Sequence, residues 1–369
     1  MKRKVVFFVN SLYGGGAEKV LQTLLRHLDR QRFEITLYSL HWEKLDDNYP
    51  SDITYRYIYG HGKWSDYLKT FVYQYFSPLL FYRLFVKGKY DTEVAFIEGY
   101  STRIVSGSTN PHSKKIAWVH IDLKNNHWTD VAFRNRKEER ICYKNFHQVI
   151  AVSESVKNVN DILFPNLQSS IYIYNPVPSK EIISKSKEPW MKDLMIEGFI
   201  FVTSGRLTKQ KGYDRLLEAV ARLQKENFHF EVLIIGEGEE RRALEQQISH
   251  EGLERNVRLL GYMNNPFPII AKADCFVCSS RAEGFSLVIL EAMILGLPII
   301  STNCSGPNEL VGDSEYGLLV NNSVDGIYRG MKRFLDNPQY VKELRMKSLE
   351  RSRYFNLEQT MGQIEKVLV

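Results

Sequence analysis

Ser280-Arg-Ala-Glu-Gly-Phe-Ser-Leu-Val-Ile-Leu-Glu-Ala-Met-Ile-Leu-Gly-Leu-Pro298 places two acids, Glu283 and Glu291, eight residues apart across the start of a helix. Phe276 and Val277 read as the end of a preceding strand. The helix formers from Phe285 to Leu295 predict a helix that Gly296-Leu-Pro298 stops. Glu283 is then expected in the loop ahead of that helix and Glu291 two turns inside it. At ~1.5 Å per helical residue the two carboxylates stand on the order of 10 Å apart. That is too far for an acid/base pair acting on one bond. It suits a ligand with hydroxyls at both ends and an anion between them, because the helix N-terminus at Gly284-Phe-Ser286 offers backbone N–H groups and the positive end of its dipole. A nucleotide sugar has this shape. From this stretch alone, an ordinary helix with one acid at its N-terminus and one in water reads equally well.

Five further stretches bear on the choice. Gly205-Arg-Leu-Thr-Lys-Gln-Lys-Gly212 follows the strand expected at Phe199 to Ser204, so a cationic loop with Arg206 and Lys211 leaves the carboxyl end of a sheet, where α/β proteins bind ligands. Arg can grip phosphate oxygens in a bidentate way and Lys supplies a point charge, although both are also common in solvated loops. Gly14-Gly-Gly16 lies between the first strand and an amphipathic helix. Its glycines are consecutive and lack the G-x-G-x-x-G spacing of a dinucleotide fingerprint. A tight strand-to-helix turn explains them without a ligand. His120 ends the expected strand Ile116 to His120, and a lone histidine there is either a ligand contact or a structural hydrogen-bonder. Gly236-Glu-Gly238 and Ser305-Gly-Pro-Asn-Glu309 complete the set.

Together these stretches resemble the retaining glycosyltransferases that carry an E-x7-E pair, the group 1, family 4-like enzymes of bacterial polysaccharide synthesis. The resemblance is strong across the second half of the chain and weak in the first. It implies the GT-B fold, an α/β architecture of two doubly wound parallel-sheet, Rossmann-like domains facing a cleft. It also implies transfer of a hexose or N-acetylhexosamine from a UDP-sugar to a glycan or lipid-linked acceptor. By the same resemblance Glu283 contacts the transferred sugar, Glu291 the ribose, and Arg206 and Lys211 the diphosphate. His120 lies near the donor sugar. Gly15, Gly16, Gly205, Gly236, Gly284, Phe285 and Ser286 line the nucleotide-sugar site. Glu283, His120, Arg206 and Lys211 form the catalytic set. No cofactor is obligatory, and with no D-x-D aspartate pair no metal is expected. A hydrolysing sugar-nucleotide epimerase of the same fold and a non-catalytic sugar-binding scaffold are the alternatives.

The expected domains are an acceptor-binding one over 1–178, a linker over 179–194, a nucleotide-sugar domain over 195–354, and a last helix, 355–369, crossing back to the first. Strand-like runs alternate with helical segments through both halves, which predicts parallel sheets covered on both faces. Asn175-Pro176-Val177 stands where a relative would usually carry Asn-Gly-Val. The proline stiffens that hinge.

At 369 residues, 44% apolar and 25% charged, the chain has room for two soluble cores, and its +6 charge is mixed along the chain. No basic tail or recognition fold points to nucleic acid. Cys275 and Cys278 form a C-x-x-C inside an apolar strand with no second pair, so buried thiols are expected rather than metal or redox chemistry. Reduced thiols indicate a cytoplasmic address. Trp64 to Tyr90 interleaves ten aromatic residues with Lys63, Lys69, Arg83, Lys87 and Lys89. Peripheral contact with an anionic membrane at the inner face, or a core-packing helical hairpin kinked at Pro78, are its two readings.

Overall fold

Apolar runs such as Val5-Val-Phe-Phe-Val9 and Phe230-Glu-Val-Leu-Ile-Ile235 lack the alternation of a half-solvated strand because helices cover both faces of their sheets. In a computed structural model, residues 1–13, 15–60, 73, 75–189 and 198–369 are described. The chain divides into two compact units, Met1–Pro176 with Leu357–Val369, and Val177–Asn356.

The first unit contains β1 (Arg3–Val9), β2 (Phe33–His41), β3 (Thr54–Tyr59), β4 (Thr92–Ala95), β5 (Lys114–Val119), β6 (Gln148–Ala151) and β7 (Ser170–Tyr172). They form a parallel sheet in the order β3-β2-β1-β4-β5-β6-β7. The second contains β8 (Phe199–Ser204), β9 (Phe230–Ile235), β10 (Val257–Gly261), β11 (Cys275–Cys278), β12 (Ile299–Thr302) and β13 (Leu318–Val320). Their order is β10-β9-β8-β11-β12-β13, again all parallel. The order reverses between β1 and β4 in one sheet and between β8 and β11 in the other. Beyond the carboxyl ends at such a switch point, the flanking connections diverge to opposite faces and leave a crevice.

The last helix, Leu357–Leu368, belongs to the first unit. It buries Met361, Ile364 and Leu368, and Glu365 accepts the Asp29 N–H (3.0 Å) and pairs with Arg32. Thr92 donates its hydroxyl to the Leu368 carbonyl (2.8 Å).

Two expectations need correction. Residues 179–185, read as linker, form the helix Ser179–Lys185 within the second unit. Ile182 is buried there and the Asn265 amide holds the Lys185 carbonyl (3.0 Å), so an apolar anchor and a tertiary bond overrule a polar local composition. Residues 190–197 of the expected linker lie outside the described residues. Pro78 does not kink a helix either. It occupies the first turn of Pro78–Phe85, where a missing N–H costs nothing, behind a Ser77 cap that accepts the Leu80 N–H. Within the aromatic segment, Trp64, Tyr67, Phe71, Lys63 and Lys69 lie outside the described residues. Tyr73, Phe81 and Tyr82 are core residues. Among the described residues no helix is long and apolar enough to cross a membrane.

Candidate functional site

At the switch point of the second unit, the loop after β8 and the loop after β11 are bound to each other by side chains of both. Gln210 donates to the Ala282 carbonyl (2.8 Å), the Arg281 N–H to the Gln210 carbonyl (2.7 Å) and Ser279 Oγ to the Lys211 carbonyl (2.8 Å). Arg281 forks onto Asp214 (2.9 and 2.8 Å) and also donates to the Lys209 carbonyl (2.6 Å). Burial alone would raise the Asp214 carboxyl, but the Arg281 and Lys209 cations outweigh it and hold the pKa at about 2.

This clamp sets Lys211 against Glu283. The ammonium lies 2.6 Å from Glu283 Oε1, an oxygen that also accepts from Ser280 Oγ at 2.6 Å. The Lys211 side chain is 22% exposed and that of Glu283 is 9%. Burial would lower the Lys211 pKa, yet the Glu283 carboxylate overrides it and the pKa is raised, so Lys211 is a permanent cation near neutral pH. Glu283 Oε2 has no hydrogen-bond partner among the described residues, which leaves one carboxylate oxygen for a ligand.

The helix expected from Phe285 begins two residues later, as Leu287–Ile294 with Ser286 as its extended N-cap. Glu291 therefore sits in the second turn, half-buried, rather than two turns inside. The helix ends as expected, in a Schellman turn in which Gly296 (φ +75°) donates to Met293 and Leu297 to Ala292. Ser286 is 2% exposed and its hydroxyl has no partner among the described residues. An unsatisfied buried hydroxyl at a helix N-terminus, where N–H groups lack intrahelical acceptors, is suited to an anion. Thr203, Ser204, Lys211, Tyr213, Ser280 and Glu283 line a small pocket at the same place.

The glycines serve close approach. A Cβ on Gly236 (φ +144°) would stand 2.0 Å from the Gly205 carbonyl oxygen, and one on Gly306 would stand 2.5 Å from that of Gly284. Arg206 is exposed and forms no ion pair among the described residues, so the structure brings Lys211 but not Arg206 to the acids. Arg351 holds the Glu309 backbone carbonyl (2.6 Å). Cys275 and Cys278 are buried free thiols three residues apart on β11, hence on opposite faces of the sheet.

In the first unit Gly15 caps the helix Gly16–His27 in extended conformation, while Gly14 lies outside the described residues. His120 follows β5, its ring against Phe96 (4.9 Å) and Trp118 (6.5 Å). Burial lowers its pKa to about 4 against a smaller opposing contribution from the Phe96 carbonyl, so the imidazole is neutral near pH 7. His127, Asp130 and Glu139 cluster as closely as the ligands of a metal site would, but Arg136 already pairs with Asp130 (2.7 Å) and contacts His127. Sequence reading missed Ser280, Arg281 and Asp214. The signal for Arg281 and Asp214 was a charge pair 67 residues apart, which has no local pattern.

Comparison with known proteins matches residues 186–353 to the family described as Glycosyl transferases group 1 and residues 14–177 to Glycosyltransferase Family 4. A Methanocaldococcus jannaschii protein described as an uncharacterized glycosyltransferase is 32% identical over 210 residues, 54% of this chain and 50% of that one. The Campylobacter jejuni N-acetylgalactosamine-N,N'-diacetylbacillosaminyl-diphospho-undecaprenol 4-alpha-N-acetylgalactosaminyltransferase is 27% identical over 372 residues, 96% of each chain. Anabaena HepE, solved with UDP and glucose, superposes with a TM-score of 0.79 at 19% identity over 99% of both chains. The two parallel-sheet units are thus a GT-B architecture.

Proposed function

The chain belongs to the group 1 glycosyl transferases, and on that premise we propose that it is a retaining enzyme which transfers a hexose or N-acetylhexosamine from a UDP-sugar to a lipid-linked glycan acceptor. Its glycosyltransferase activity is of the polysaccharide and lipopolysaccharide type. The observation that carries the reading is the Lys211–Glu283 pair beside the unpartnered Ser286 hydroxyl at the β8/β11 switch point. A half-buried cation, a carboxylate with one open oxygen and a helix N-terminus are the groups that a diphosphate with a sugar at one end needs. The UDP bound to Anabaena HepE supports the nucleotide, and the diphospho-undecaprenol in the name of the Campylobacter relative supports the acceptor.

In the proposed reaction the anomeric C–O bond to the diphosphate breaks while the acceptor hydroxyl bonds to the same face of that carbon. The departing phosphate oxygen takes the hydroxyl's proton. Lys211, Arg206 and the Leu287–Ile294 N-terminus stabilise the charge that grows on the diphosphate, an effect strongest where water is excluded. Lys211 has three donors, so it can keep Glu283 while reaching a phosphate oxygen. Incubation of a panel of nucleotide sugars with lipid-linked acceptors, with mass spectrometry and anomeric NMR of the products, tests the reading. An inverted product or no transfer from any UDP-sugar overturns it. Because protein cations face the diphosphate, transfer is expected to persist in EDTA. Complete loss restored by Mn²⁺ or Mg²⁺ would show that a metal does their work.

A lipid-linked acceptor places the enzyme at a membrane, and the helix Pro78–Phe85 is suited to that. Leu79, Leu80 and Leu84 are 58, 41 and 53% exposed, and Arg83, Lys87 and Lys89 stand exposed beside them. Exposed leucines among cations favour an anionic bilayer, where each cation is worth about 1 kcal/mol. Lys87→Glu with Lys89→Glu should weaken binding to phosphatidylglycerol vesicles about 30-fold, with transfer to a water-soluble acceptor unchanged. Vesicle binding equal to the parent chain's would remove this surface from the proposal.

A further inference from the structure

The sheet of the first unit has its own switch point, between β1 and β4, and a carboxylate sits there that no sequence motif marks. Glu98 is 4% exposed, three residues beyond β4. Its Oε2 accepts the backbone N–H of His120 (3.0 Å) and its Oε1 accepts the indole N–H of Trp128 (3.2 Å). Asn10, the residue after β1, donates to the Glu98 carbonyl (3.2 Å) and accepts from both the N–H and the hydroxyl of Ser101 (3.1 and 2.9 Å). Gly99 between them has φ +86°, and a Cβ there would stand 3.0 Å from the Trp128 ring, so the indole lies down on the turn. One acid therefore ties together the connections leaving β1, β4 and β5.

Two features separate this from an ordinary buried ion pair. Among the described residues no cation partners the Glu98 carboxylate, and burial pushes its pKa up, so its position costs stability that an apolar residue would not. One of its two donors is also the backbone of His120. The Phe96 backbone raises the pKa of the imidazole against its burial, while Nε2 is buried with no partner among the described residues. A backbone carbonyl acting on the other ring nitrogen favours the proton on Nδ1, which leaves Nε2 as the acceptor.

We infer that Glu98 is a positioning residue, whose carboxylate fixes the His120 backbone and the Trp128 indole so that Nε2 of His120 is offered as an acceptor to a substrate hydroxyl at the β1/β4 switch point. The use of that acceptor rests on the proposed transferase reading; the positioning itself does not. Residues that hold a functional group in place through a hydrogen bond typically matter about 10- to 100-fold.

The test uses the full chain with ¹⁵N-labelled histidine. The parent protein should show His120 with a protonated Nδ1 and an unprotonated Nε2. Glu98→Ala should blur that tautomer and lower kcat about tenfold or more, with UDP affinity unchanged. Glu98→Gln keeps an oxygen for the His120 N–H and should recover the tautomer and much of kcat. Trp128→Phe, which frees Oε1 alone, gives the same comparison if Glu98→Ala does not fold. An unchanged tautomer and unchanged kcat in these variants would overturn the inference. If Glu98→Ala disturbs the ring but His120→Ala leaves kcat intact, the positioning stands and the transferase role of His120 falls.

Discussion

Glu283→Gln is expected to lower kcat by roughly 100-fold and to leave UDP affinity within a few-fold of the parent chain. One transition-state contact in a water-poor site is worth about 2.7 kcal/mol, which is two decades in rate. Glutamine keeps an oxygen for Ser280 and Lys211 but removes the charge that Lys211 faces at 2.6 Å. A half-buried ammonium left without its carboxylate also costs stability, so a thermal melt of the variant separates lost folding from lost chemistry. Glu291→Gln is the contrast. If that acid binds the ribose, its loss should weaken UDP binding by about 1 to 3 kcal/mol and spare kcat at saturating donor. Calorimetric titration of UDP against both variants, beside steady-state kinetics, reads the two effects. Loss of UDP affinity in Glu283→Gln with affinity kept in Glu291→Gln would mean the ligand lies the other way round.

Gly236→Ala should destabilise the second unit by about 2 to 4 kcal/mol, combining a strained backbone with a collision. The residue has φ +144°, and the added methyl would fall 2.0 Å from the Gly205 carbonyl oxygen. Neither backbone can yield easily. The Gly205 N–H is bonded to Ile235 (2.9 Å), the Leu207 N–H to Glu237 (2.9 Å), and the Gly236 N–H to Gly261 (2.8 Å). The loop that ends in Lys211 would be displaced with them, and UDP affinity should fall. Gly252→Ala supplies the control, because Gly252 also has positive φ (+67°) but nothing within 4 Å of its Cβ position. It should cost about 1 kcal/mol. Urea unfolding read by tryptophan fluorescence compares them, and equal midpoints for the two variants would show that the contact with Gly205 does not matter.

What the chain order could reveal was whatever repeats or lies close along it. Continuous apolar strands between helical segments gave both parallel sheets, with β8 placed to the residue. Glu283 in its loop and the stop at Gly296 followed from local helix chemistry. β3 and β7 were not seen, because both are sheet edges. Thr54–Tyr59 and Ser170–Tyr172 have no fully buried positions, so no apolar run announces them. The helix start slipped by two residues where Ser286 stays extended. The Trp64 to Tyr90 segment misled differently: aromatic residues that suggested an interface, Phe81 and Tyr82, lie in the core, while the exposed face of their helix is made of leucines. Composition cannot say which side of a helix packs when both sides are apolar. Only the fold joined Lys211 to Glu283 across 72 residues and Glu98 to His120 across 22. A buried charge is satisfied by whatever the sheet topology brings to it, and topology is a property of strand order in space, which a linear pattern does not contain.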